Sequence, residues 1–360
     1  MKIKLTEKYK PYSREVGTSC LLPKSPWKVT VYPRLITFLN LTSEKNQGTI
    51  SVTPHIEGPL SQFTVMQDLD KRWVRVFGRG TEGYFSYRLF VSANEIILFL
   101  ERCPKKGLAF SYDGEVRVLK SKEELIIPSD SFAFPSLFSE KMHFGCHKAS
   151  DWTLVKRRLR LDEILPIWFE LGKNLPKHPK VEWGNSRFLT QCETLLELKD
   201  RQEIGRHLLA LFQVGFEGIL TPRLLDTGHQ GTLSEKEDLP EEASSLSLLR
   251  EGSRLIRHLL VQEKEKSLEI LPCLPVELHA GRFVDVQCRE LTLDLEFSKK
   301  MIRRLNLHPK SDHICHLTFP SPIQSFRLRT GKRDKGKIYT AGEPLHLKAN
   351  REYFLDRFQK

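Results

Sequence analysis

Apolar and polar residues alternate with a period of two through much of the first third of the chain. WKVTVYP (27–33), ITFLNL (36–41) and TISVTPHI (49–56) either alternate or carry β-branched runs. So do RWVRVFG (72–78), YFSYRLFVS (84–92), EIILFLER (95–102) and EVRVLK (115–120). Turn-forming stretches at 43–48, 78–83, 92–94, 104–107 and 113–114 separate them. Short strands at regular spacing, with little helical pattern between them, predict an antiparallel β-sandwich over residues 1–135. Arg75, Arg79, Tyr84 and Tyr87 are candidates for a sugar-stacking face of that sandwich. The simpler reading makes them outward residues on half-exposed strands.

The period changes after residue 150. LDEILPIWFELGKNLP (161–176) places Ile164, Leu165, Trp168, Phe169 and Leu171 on one helical face, with Asp162 as the expected N-cap and Pro166 near the first turn. Residues 186–216 repeat the pattern from a Ser186 cap. Leu189, Cys192, Leu195 and Leu196 are followed by Ile204, Leu208, Leu209 and Phe212, and a break at 199–201 predicts a helical hairpin. A polar connection follows at 217–245. Then Leu246, Leu249, Ser253, Ile256 and Leu260 mark a helix with a wide apolar stripe, flanked by Arg250, Arg254 and Arg257. SLEILPCLP (267–275) reads as a buried strand ended by prolines, and further strands continue to the C-terminus. The expected fold class is α+β: an N-terminal antiparallel sandwich over 1–135, a linker and helical region over 136–262, and a C-terminal antiparallel β-domain over 263–360. Residues 130–151 are expected to be an ordered linker that packs its Phe residues between domains.

No run approaches the roughly 18 uncharged apolar residues of a membrane-spanning helix, and the first residues lack the apolar core of a secretory signal. Seven cysteines without a CxxC pair predict reduced thiols and a cytoplasmic location. His313, Cys315 and His316 lie close in sequence, but strand alternation points His316 away from the other two. His143, Cys146 and His147 are read as incidental neighbours, so no metal site is expected. The net charge of +12 is spread among acidic residues. Its densest clusters are KRRLR (156–160) and the loop RTGKRDKGK (329–337). Such a balance argues for non-specific attraction to polyanions and against a dedicated nucleic-acid site. Walker, GxGxxG, HExxH and GxSxG motifs are missing from the sequence, and no cofactor is implied.

Candidate site residues concentrate in the polar connection. Glu217 and Asp226 are the carboxylates best placed for catalysis, and Arg223, His229 and Gln230 are the candidate ligand-binding groups, with Gly228 and Gly231 beside them. Glu163, Glu170 and Glu193 are further carboxylates for a glycosidase pair, which needs two at a separation of roughly 5–10 Å.

The order of motifs from 246 onward resembles the end of the catalytic barrel and the start of the C-terminal β-domain in glycoside hydrolase family 95 α-L-fucosidases and, more broadly, their six-hairpin relatives. Gly252, Leu255, Ile256, Arg257, Leu260, Gln262 and Glu263, then Leu271, Pro272, Leu274 and Pro275, carry it. Stretches 290–297, 300–307, 313–320, 325–329 and 341–355 resemble the strands that follow, so the likeness covers roughly the last third of the chain. Those proteins place a sandwich before the barrel, as here. A complete barrel of twelve helices takes roughly 300 residues at ordinary helix lengths, and the space between 151 and the LPxLP strand holds four or five. The resemblance therefore implies a shortened, non-catalytic relative that binds carbohydrate or a protein partner. Two alternatives stand beside it: an active glycosidase completed by homo-oligomerisation, and a basic polyanion-binding module.

Overall fold

The computed structural model describes all residues except 1–2, 44–47, 130, 132, 137, 180–182, 227–239, 241–242, 266 and 332. Two six-stranded antiparallel sheets form the N-terminal sandwich. One runs in the order Tyr12–Ser13, Ser61–Asp68, Trp73–Gly80, Gly83–Ser92, Glu95–Arg102, Glu124–Pro128. The other runs Glu115–Leu119, Leu108–Tyr112, Thr49–Pro54, Leu35–Asn40, Trp27–Tyr32, Thr18–Leu21. Alternation builds the core between them: Val74 and Val76 face inward with Phe85, Tyr87, Leu89, Leu98 and Leu100, against Val29, Val31, Phe38 and Phe110 of the opposite sheet. Tyr87 is fully buried, edge-on to Phe110 at 5.9 Å. It belongs to the core and not to a sugar-stacking face, because it shares the inward phase of Phe85 and Leu89.

Five α-helices follow among the described residues: α1 Trp152–Arg158, α2 Leu161–Gly172, α3 Arg187–Glu197, α4 Glu203–Gly215 and α5 Leu246–Leu260. Helix α2 starts before its expected cap. Arg160 is the N-cap residue, and Asp162 lies inside the first turn, where Arg160 grips it at 3.0 and 2.6 Å. Pro166 consequently falls in the second turn. The break between α3 and α4 is held by Asp200, whose Oδ1 accepts the amides of Gln202 and Glu203 at 3.1 and 3.0 Å.

Helix α5 is wedged against α2, as its wide stripe predicts. The two helices meet where glycine faces them: a Cβ on Gly252 would lie 2.4 Å from the Trp168 ring, and one on Gly172 would lie 2.0 Å from the Leu249 carbonyl. Trp168 Nε1 donates to the Leu248 carbonyl at 3.4 Å and its ring meets Phe216 edge-on at 4.5 Å.

The C-terminal β-region holds a seven-stranded antiparallel sheet in the order Lys141–His143, Ala280–Gln287, Leu291–Ser298, Met301–Pro309, Tyr353–Gln359, Ser325–Arg329, Lys337–Thr340. A four-stranded sheet, Val261–Glu263, Ser267–Ile270, His313–Thr318 and Pro344–Leu347, contains one parallel pair. The segment expected to be a linker supplies the edge strand Lys141–His143, paired with 282–284. Only Met142 and His143 of its three residues are buried, which is too short a pattern to show periodicity. Phe144 packs on Phe297 at 6.3 Å. All seven cysteines are free thiols. No helix among the described residues is long and apolar enough to cross a membrane.

Candidate functional site

The structure brings two of the predicted site residues to one cavity. After α4 the chain makes a short hairpin, Phe216–Glu217 paired with Thr221–Pro222. Its turn docks on the N-terminal sandwich: Ile219 N–H donates to the Ser19 carbonyl at 2.7 Å. Gly218 has φ +47°, and a Cβ there would sit 2.1 Å from that same carbonyl, so only glycine fits. Between this hairpin and α1 lies a cavity of about 300 Å³ lined by Trp152, Lys156, Phe212, Phe216, Glu217 and Arg223, among others. That volume is at the lower end for ligand pockets.

The two predicted site residues in this cavity, Glu217 and Arg223, are already engaged. Glu217 forms an ion pair with Lys28 of the N-terminal sandwich. Arg223 caps the C-terminus of α4, donating Nε to the Val214 carbonyl at 2.9 Å and Nη2 to the Gln213 carbonyl at 3.4 Å. A cation there complements the helix dipole. Arg223 Nη2 also reaches Asp226 Oδ1 at 3.0 Å. Asp226 is buried, with its side chain fully covered, and is not among the cavity-lining residues. Among the described lining residues Glu217 is the single carboxylate. His229 and Gln230 lie outside the described residues. The aromatic walls are closed as well: Trp152, Phe212 and Phe216 are 1%, 5% and 6% exposed, so no ring offers a face to a sugar.

The other carboxylates do not join Glu217. Glu163 is buried in a bidentate pair with Arg158, Glu170 pairs with Lys173 at 2.7 Å, and Glu193 pairs with Arg254.

The outward face of the first sandwich sheet presents a different arrangement. Register places Arg75 opposite Arg88, and Arg88 opposite Phe99. With Trp73 and Phe77 two positions either side of Arg75, the face alternates aromatic and cationic groups, all of them half-buried. Arg88 stacks over Trp73 at 4.0 Å from the ring centroid, and Arg75 over Phe77 at 5.4 Å. Glu101 lies at the centre. Its carboxylate accepts Arg75 Nε at 2.6 Å and the Ser86 hydroxyl at 2.7 Å, and pairs with Arg88. Burial works against its charge. The Ser86 hydrogen bond and the two guanidinium groups outweigh that and hold the carboxyl below its ordinary range. Arg75 was legible as an outward residue. Trp73, Arg88, Phe99 and Glu101 were not singled out, although their shared phase in neighbouring strands is a signal the sequence contains.

No protein-family model matches the chain, and no curated protein matches it.

Proposed function

We propose that this protein is a shortened, non-catalytic relative of six-hairpin glycosidases that binds carbohydrate on the outward face of its N-terminal sandwich. The observation that carries the reading is the Arg75–Glu101–Arg88 cluster set beside Trp73. Sugar hydroxyls both donate and accept, and here one carboxylate and two guanidiniums present acceptors and donors side by side. The C–H faces of a pyranose pack on aromatic rings, and Trp73, Phe77 and Phe99 line this face, each with one side under a guanidinium.

Two further observations favour this over the alternatives. A glycosidase needs two carboxylates flanking the bond it cleaves, and the cavity between α1 and the hairpin offers Glu217 alone among its described lining residues. A polyanion site needs uncompensated cations, whereas Glu101 engages both arginines of this face. The resemblance in the last third of the chain, helix α5 and the LPxLP segment that follows the strand Ser267–Ile270, supports the proposed ancestry.

Calorimetric titration of the full chain with mono- and oligosaccharides, chosen from a glycan array, tests the reading. Trp73→Ala is expected to weaken binding by about tenfold, while Glu217→Gln leaves it unchanged. No binding to any saccharide would overturn the proposal. So would binding that survives Trp73→Ala and is lost in Glu217→Gln.

A further inference from the structure

The N-terminal arm crosses the edge of the seven-stranded sheet and brings Glu7 to two histidines that follow one another around a turn. His143 ends the edge strand, Gly145 turns the chain at φ +79°, and His147 comes back beside His143 with ring centroids 5.2 Å apart. Tyr9 anchors the arm by donating its hydroxyl to the Met142 carbonyl. One ligand atom from each of Glu7, His143 and His147 lies within 4.8 Å of the other two.

Hydrogen bonding sets the tautomer of the buried ring. His143 Nε2 faces the Cys146 carbonyl at 2.9 Å, and a carbonyl only accepts, so Nε2 carries the proton. Nδ1 is then the basic nitrogen. It accepts the Gly145 amide at 3.1 Å and faces Glu7 Oε1 at 3.9 Å. A metal-bound imidazole keeps the first of these contacts, one nitrogen donating to a carbonyl that orients the ring, and turns the other nitrogen's lone pair from the amide to the ion. Glu7 Oε2 is steadied by the Thr6 amide at 3.0 Å, leaving Oε1 toward the histidines.

We infer that Glu7, His143 and His147 form a binding site for a divalent first-row transition ion of the zinc class. Two imidazoles and one carboxylate suit Zn²⁺, Co²⁺ or Ni²⁺ and not the all-oxygen shells of Mg²⁺ or Ca²⁺. Ligands about 2.1 Å from a tetrahedral ion stand ~3.4 Å apart. The site therefore closes by an inward shift, and an ion at Nδ1 displaces the Gly145 amide, which sits at an exposed residue where water can accept it. The parts that must move are free to do so: His147 is exposed and Glu7 half-exposed, while the ring of His143 is fixed. The residues open onto a cavity of about 350 Å³ shared with Arg282 and Arg303. That space admits water or an anion to the remaining coordination positions. Arg282 is held by Glu296 at 2.9 Å and Arg303 by Ser298 at 2.7 Å, so both cations are kept on the cavity wall. The site is independent of the carbohydrate face.

Chelator-treated full-length protein titrated calorimetrically with Zn²⁺ alone tests the assignment, with the visible spectrum of the Co²⁺ form as a second readout. One ion per chain is expected, unaffected by excess Mg²⁺. His147→Ala and Glu7→Gln, at positions where the fold tolerates change, each weaken it by roughly tenfold or more. His346→Ala, at an exposed histidine elsewhere, leaves it unchanged. Failure to take up one equivalent, uptake of equal affinity in both site variants, or displacement by Mg²⁺ would each overturn the assignment.

Discussion

Arg257, in the last turn of α5, donates Nε to both carboxylate oxygens of Glu140 at 3.2 Å, and Glu140 is 2% exposed. The same carboxylate accepts the Gln287 amide at 2.8 Å, while the Glu140 carbonyl accepts Lys173 Nζ at 2.6 Å. One residue thus ties α5, the C-terminal end of α2 and the seven-stranded sheet together. Glu140→Ala leaves a guanidinium without its counter-charge and an amide without its acceptor. It is expected to cost about 3–5 kcal/mol, read as a lowered urea midpoint, with Glu140→Gln recovering part of the loss. A change below about 1 kcal/mol, as for a surface pair, would refute this role.

Gly252 is expected to resist even the smallest enlargement. Alanine favours a helix by about 1 kcal/mol, but its Cβ would lie 2.4 Å from Trp168, a ring that is fully buried. Neither α2 nor α5 can shift without opening the Gly172 contact with Leu249. Gly252→Ala should therefore destabilise by about 1–3 kcal/mol in chemical denaturation. A stabilised variant would mean that the two helices slide apart at little cost.

What could be read from the sequence depended on whether burial followed a local period. Residues 73–78 and 27–31 alternate buried and half-buried positions strictly, and both are recognisable as strands. Ser61–Asp68 was missed because Thr64, Gln67 and Asp68 are buried although polar. Gln67 is accommodated by its Nε2 donating to the Leu21 carbonyl, a partner far away in sequence. The site residues divide the same way. Arg75 could be assigned to an outer face because it sits in an alternating strand. Asp226 reads as a loop carboxylate open to a ligand because its burial follows no period, although Arg223, three residues before it, is its partner. The meeting of Glu7 with His143 and His147 depends on which strand forms the sheet edge, and no spacing encodes that.

Stability is expected to depend on pH through His308 and Asp294, whose side chains approach to 3.7 Å on the seven-stranded sheet. The Asp294 carboxylate beside it raises the His308 pKa above its ordinary 6.5, with Glu352 and Asp285 adding to the effect. Burial opposes ionisation of Asp294, but His308, the Asp285 amide and Asn306 together hold its carboxyl below 3.8. The histidine's contribution is complete below pH 6.5 and is lost as pH rises through its raised pKa. The aspartate's is complete above pH 3.8 and is lost as pH falls through its depressed one. Both are present between those limits. Urea midpoints should decline from pH 6 to pH 8, and His308→Gln should flatten that decline. Parallel profiles for the two proteins would rule out the coupling.

Arg223 and Asp226 are expected to matter for folding before they matter for any ligand. The Asp226 side chain is fully covered and that of Arg223 is 16% exposed, so removing the arginine buries a carboxylate opposite an uncapped helix end. Arg223→Ala should cost about 3–5 kcal/mol, and Arg223→Lys should recover only part, because an ammonium lacks the planar fork that spans the Gln213 and Val214 carbonyls and Asp226 together. Asp226→Asn separates a structural role from a catalytic one. A buried partner of Arg223 predicts a lower urea midpoint with saccharide binding at the Trp73 face intact. A carboxylate serving chemistry in the cavity predicts unchanged stability, and that result would overturn the assignment of Asp226 to the capping network.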